Sequence, residues 1–112
     1  MKIARLVPVL SNRESFLRNR ERFIPIVRGC YALNNFSEEV LYVGLAKNLG
    51  RRFTQHLDSP DKIAATTLGR AILFWWLATA DIHKVERTWM NIHLQYEGAL
   101  PILNRVYSPT ST

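Results

Sequence analysis

The chain has 112 residues and a mass of 13.0 kDa, enough for one hydrophobic core and too little for two. A formal net charge of +6 and a pI near 10.0 point toward an anionic partner, either nucleic acid or a membrane surface. A single cysteine, Cys30, excludes an internal disulfide and a thiolate zinc site, and the longest apolar run, Ala71 to Ala80, is far short of the roughly 20 residues that span a bilayer.

Met1 to Leu10 lacks the continuous apolar stretch and cleavage site of a signal peptide, so a cytoplasmic location without membrane contact is expected. Residues 1–27 read as a basic arm packed on the domain, with Arg28 at its junction. Its cations Lys2, Arg5, Arg13, Arg18, Arg20 and Arg22 outnumber Glu14 and Glu21. Ser11 or Asn12 is predicted to cap a short helix to about Phe23, with Phe16 and Leu17 as contacts and Pro25 as its stop.

Val27 to Leu33 and Val40 to Gly44 are predicted strands, joined by the polar segment Asn34 to Glu39 as an antiparallel hairpin. That pairing would bring Tyr31 and Tyr42 to one small patch. Asn48 then reads as an N-cap, and Leu49, Phe53 and Leu57 recur at helical spacing. Arg52 and His56, four apart, share a face of that helix. Pro60 opens another predicted helix, with Ile63, Ala64 and Leu68 as its packing side and Gly69 as its end.

Ala71 to Ala78 is apolar throughout, and its length and aromatic content favour a strand covered on both faces over a buried helix. Asp81 or Thr79 would cap the last long helix, whose stripe is Ile82, Val85, Trp89, Ile92 and Tyr96. Glu86 lies one position off that stripe, where a carboxylate can lean into a cleft. Gly98 should end the helix, Pro101 to Asn104 return to the body, and residues 108–112 form a flexible tail.

In order along the chain, Gly29-Cys30-Tyr31, Tyr42-Val43-Gly44, Arg52, His56, Glu86 and a closing Pro101-x-x-Asn104 resemble the GIY-YIG nuclease family. The resemblance implies an α+β fold over residues 28–107, with three antiparallel strands flanked by helices. It further implies Tyr31 and Tyr42 as catalytic phenols, Arg52 as phosphate clamp, and His56 at a position often basic. Glu86 would hold one divalent ion, Mg²⁺ or Mn²⁺, while Gly29, Gly44 and Asn104 serve as structural or polar support. The implied reaction is phosphodiester hydrolysis in DNA or, alternatively, RNA.

These residue types suit that chemistry. A phosphodiester repels nucleophiles through its own charge, so cations must surround the scissile phosphate. An arginine donates two parallel hydrogen bonds to phosphate oxygens, and Mg²⁺ uses one or two carboxylates plus water and substrate oxygens. A phenol ordinarily titrates near 10, and neighbouring cations such as Arg52 are expected to pull Tyr31 down toward use as a base. Tyr31 is the preferred base and Tyr42 would orient water or phosphate, the sequence leaving the reverse assignment open.

Arg13, Arg18, Arg20, Arg22, Arg28, Lys47 and Arg51 are the candidate nucleic-acid contacts. His83 and His93 are ten apart, not on one helix face, which argues against a zinc pair, and the three tryptophans read as core. Family members usually gain specificity from a further domain. The chain is therefore expected to cut with relaxed specificity, to serve a larger protein complex, or to act as a homodimer. The rival reading is a nucleic-acid-binding module of the same fold that cuts poorly or not at all; a basic structural protein is the third.

Overall fold

The computed structural model describes residues 1–105. The expected tail at 108–112, like the end of the domain at 107, lies outside the described residues. Strands β1 (Asn12–Ser15), β2 (Gly29–Asn34), β3 (Val40–Ala46) and β4 (Leu73–Ala78) form one sheet in the order β1-β4-β2-β3, every neighbouring pair antiparallel. The helices are α1 (Leu49–Leu57), α2 (Pro60–Ile63), α3 (Ile82–Glu97) and α4 (Ile102–Arg105), with 3-10 turns at Ile3–Arg5 and Arg18–Phe23.

The sheet thus has four strands, one more than expected, and the addition comes from the N-terminal segment. The helix expected from Ser11 or Asn12 to Phe23 is a strand followed by a 3-10 turn. Tertiary pairing outweighs local propensity here, because β4 would otherwise present an unpaired row of backbone groups. β1 covers that row from Asn12↔Trp76 to Ser15↔Leu73, and the Phe16 N–H extends the ladder to Ile72 O at 2.8 Å.

The β2–β3 hairpin closes through Asn35 to Glu39. The Asn35 Oδ1 accepts the Glu39 N–H at 2.8 Å, and Glu38 takes a left-handed φ of 65°. An asparagine that bonds its own turn is what a tight polar connection needs.

Alternation along β2 sends successive side chains to opposite faces. Tyr31 and Leu33 join one core with Tyr42, Phe74, Trp76, α1 residues Leu49 and Phe53, and Leu103 of α4. Cys30 and Ala32 join the other core with Val43, Leu45 and α3 residues Ile82, Val85 and Trp89. Met1, Ile3, Leu6 and Leu10 are buried in this second core. The N-terminal cations therefore ride on a segment built into the fold.

Two helices differ from expectation. α2 stops at Ile63, well before Gly69, which instead closes a turn with Thr66. α3 runs through Glu97 to Gly98 and buries His93 in place of Tyr96, which is exposed.

Candidate active site

The hairpin register positions the phenols. Tyr31 pairs across with Gly44 and Tyr42 with Leu33, so the two tyrosines stand diagonally on one face, their ring centroids 5.9 Å apart. A Cβ at Gly44 would lie 2.5 Å from the Tyr31 Oη and 2.6 Å from its Cζ. The second glycine of the paired triplets leaves the space in which the first tyrosine lies. Gly29 does the same for packing, since a Cβ there would meet Leu77 O at 2.5 Å and Leu49 Cδ1 at 2.9 Å.

α1 brings the next two groups. Its N-cap, Asn48, accepts the Arg51 N–H at 3.0 Å, and its apolar residues Leu49 and Phe53 anchor it on the sheet. His56 is turned inward and is 6% exposed, with Tyr31 and Tyr42 at 0% and 1%. Its Nε2 meets the Tyr31 Oη at 2.5 Å, and its ring centroid is 5.3 Å from each phenol ring. Phe74 stacks on Tyr31 from β4 at 5.0 Å, holding the phenol in plane.

Tyr42 and Arg52 also act on the Tyr31 hydroxyl, Tyr42 raising its pKa and Arg52 lowering it. Arg52 is half-buried and lines a cavity of about 280 Å³ together with Lys47, Asn48, Arg51 and Gln55. It links the buried phenols to an open, basic surface.

Lys62 of α2 is the group that sequence reasoning missed. It is 3% exposed, and its Nζ lies 4.8 Å from the centre of the Tyr42 ring. A lysine beside a proline turn reads as a solvated surface residue, and no sequence signal marks it otherwise.

Burial decides the electrostatics of the cluster. It pushes Tyr31 well above the usual 10, reinforced by Tyr42, while Arg52 pulls in the other direction without prevailing. The expectation that cations would lower this phenol does not hold in the resting protein. Burial, then Lys62 and then Arg52 lower His56 from 6.5 to about 3, so its imidazole is neutral at pH 7. In the Nδ1–H tautomer Nε2 accepts the Tyr31 proton.

Glu86 has a different neighbourhood. It sits on α3, which packs on the sheet face opposite the phenols, and its charge helps to raise the Cys30 thiol on that face. Burial raises its carboxyl above the usual range, opposed by His83 and Arg87. The described contacts do not bring it into the phenol cluster. Among the described residues, no three His, Cys, Asp or Glu side chains gather as a metal cage. By chemistry Glu86 still fits one position in a Mg²⁺ shell, being an oxygen donor whose charge is poorly solvated. Cys30 itself is buried, hydrogen-bonded to Ile82 O at 3.1 Å and raised to about 12, which suits a packing role.

Asn104 clasps the outer strand: its Oδ1 accepts the Val43 N–H at 2.9 Å and its Nδ2 donates to Val43 O at 3.0 Å. This satisfies both backbone groups of Val43 on β3, one residue from Tyr42. Of the expected nucleic-acid contacts, Lys47 and Arg51 border the cavity. Arg20 and Arg22 lie over the Phe23 ring at 5.6 and 4.9 Å, Arg13 over Trp75 at 5.1 Å, and Arg28 is exposed. Arg18 pairs with Asp58 at 2.6 Å and Glu21 at 3.2 Å, which occupies its charge locally.

The family model of the GIY-YIG catalytic domain matches residues 27–99. UvrABC system protein C of Mesoplasma florum is 38% identical over 56 residues. That stretch is half of this chain and a tenth of the relative's length. Among the described residues no helix is long and apolar enough to cross a membrane.

Proposed function

The chain belongs to the GIY-YIG family, and from that premise we propose that it is an endonuclease hydrolysing phosphodiester bonds in DNA. The observation that carries the reading is the double engagement of Arg52, whose charge acts on the buried Tyr31 phenol and whose side chain forms a wall of the basic cavity. A phosphate drawn in by Lys47 and Arg51 reaches Arg52, which connects the open cavity with the buried phenols behind it.

The tyrosine acts as one half of a pair. At neutral pH Tyr31 holds its proton, so the resting base is the neutral His56 behind it. As water attacks phosphorus, its proton passes to the Tyr31 oxygen while the Tyr31 proton moves to His56 Nε2. The incoming phosphate favours this transfer, because its negative charge offsets Lys62 and Arg52 and raises the proton affinity of the imidazole. Arg52 donates to the phosphate oxygens through the transition state. Tyr42 positions water or phosphate beside Tyr31. The P–O bond to the leaving group breaks, and turnover ends with that oxygen protonated and His56 neutral again.

Mg²⁺ or Mn²⁺ belongs to this proposal as the charge-neutralising group the family resemblance implies, with Glu86 as the residue that would hold it. α3, which carries Glu86, packs on the face opposite the phenols, so no step at the phenols is routed through the ion. The basic surface around Arg20, Arg22 and Arg28 adds affinity without reading sequence.

A second reading is favoured by specific observations: the phenols are closed from solvent, and the helix that carries Glu86 packs on the other side of the sheet. On that reading the chain binds nucleic acid and does not cut. Purified protein incubated with supercoiled plasmid, with Mg²⁺, with Mn²⁺ and with chelator, decides between them. Nicking that needs the ion and is lost in Glu86→Gln supports the enzyme. Tight, salt-sensitive binding without nicking in any condition supports the binding module.

A further inference from the structure

We propose that Lys62 is a second phosphate-binding cation of this site, contributed by α2 and acting with Arg52 on the same phosphodiester. The inference rests on the reading above and adds a residue to it. Three observations carry it.

α2 inverts the usual partition of side chains. Lys62 is buried while its apolar neighbour Ile63 is 44% exposed. Desolvating an ammonium is costly, so its inward placement has to be matched by favourable surroundings. The inward aim is fixed by the backbone: Pro60 starts the turn, the Lys62 N–H donates to Ser59 O at 3.1 Å, and the Ala64 N–H donates to Pro60 O at 3.0 Å. A substitution-tolerant surface turn has no need of this arrangement.

The ammonium then finds the phenol cluster. Its Nζ stands over the face of Tyr42, whose quadrupole offsets part of the desolvation, and Tyr42 is in ring contact with both Tyr31 and His56. Arg52 reaches the same cluster through the Tyr31 hydroxyl, and both cations act on the one imidazole. Two positive groups thus converge on two phenols and a neutral histidine, and a phosphate set between them would meet a cation from each helix. As its transition state forms, a phosphodiester accumulates further negative charge on its oxygens, which accept hydrogen bonds more strongly from paired cations.

The test follows the His56 ring by NMR while the full chain is titrated with inorganic phosphate. Wild-type protein should show a saturable shift. Lys62→Met should weaken phosphate binding about tenfold or more, as expected for loss of a charge-assisted hydrogen bond, and Lys62→Arg should keep most of it. A merely structural lysine would not produce this difference. Lys62→Gln serves if the methionine variant does not fold. The proposal is overturned if a folded Lys62→Met or Lys62→Gln protein binds phosphate as tightly as wild type, or if phosphate does not perturb His56 at all. Saturable binding that depends on Lys62 in a protein that never nicks plasmid leaves this site standing and removes the nuclease reading alone.

Discussion

The Tyr31 Oη and the His56 Nε2 meet at 2.5 Å, joining a strand residue to a helix residue 25 positions later. Neither partner is charged at neutral pH, since burial raises the phenol and lowers the imidazole. Two neutral groups pushed apart in proton affinity form a relay that an arriving anion can tip.

A pH signature follows from His56. Its folded value of about 3 lies below the ordinary 6.5, so between those values the unfolded chain binds a proton that the folded chain refuses. Its contribution to stability is therefore complete above pH 6.5 and is lost as pH falls toward 3, by up to about 1.4 kcal/mol per pH unit. Urea unfolding at pH 7, 6, 5 and 4 should trace that decline, and His56→Gln should flatten it over the same range.

Removing one hydroxyl separates chemistry from packing. Tyr31→Phe keeps the ring that stacks on Phe74 but leaves the His56 nitrogen buried without its partner, at a cost of about 1–3 kcal/mol. Plasmid nicking should fall by about 10²–10⁴, the range expected for a lost proton-transfer group. Tyr42→Phe should lower the rate less and leave the acid limb of the pH–rate profile in place.

Gly44→Ala tests the diagonal register. The new methyl carbon would stand 2.5 Å from the Tyr31 Oη, so the phenol must move away from His56. Overpacking of this kind destabilises by about 1–3 kcal/mol. Crystals or NMR of the variant should show the Tyr31–His56 hydrogen bond broken, and the cleavage rate should drop at least as far as in Tyr31→Phe.

Asn104→Ala removes both hydrogen bonds to Val43 and should lower stability by about 1–3 kcal/mol. Amide exchange at Val43 measures the effect directly: its N–H should lose protection while the Tyr31 amide, on the interior strand β2, keeps its own.

Much of this site was legible because hairpins are local. The six-residue polar stretch between the triplets sets an antiparallel register, and the register places Tyr31 near Tyr42 whatever the rest of the chain does. Arg52 and His56 follow from a helix announced by Asn48 and an apolar repeat. Contacts that depend on layer assignment were not legible. Glu86 was placed correctly on the border of its helix stripe, but nothing in the spacing says which sheet face that helix covers. β1 was misread as helix because a four-residue segment has no period strong enough to declare the edge it will pair with. Lys62 was invisible for a simpler reason: its type and its turn both point to solvent, and only tertiary packing turns it inward.

The pairing of β1 with β4 bears on how this protein can be handled. A version cut back to residue 27, where the family match begins, would strip the ladder partner from Leu73 to Trp76 and take Leu6, Leu10 and Phe16 out of the two cores. The bared edge of β4, rich in aromatic side chains, would then be a template for another molecule's strand, and such a fragment is expected to precipitate rather than to fold as a minimal nuclease.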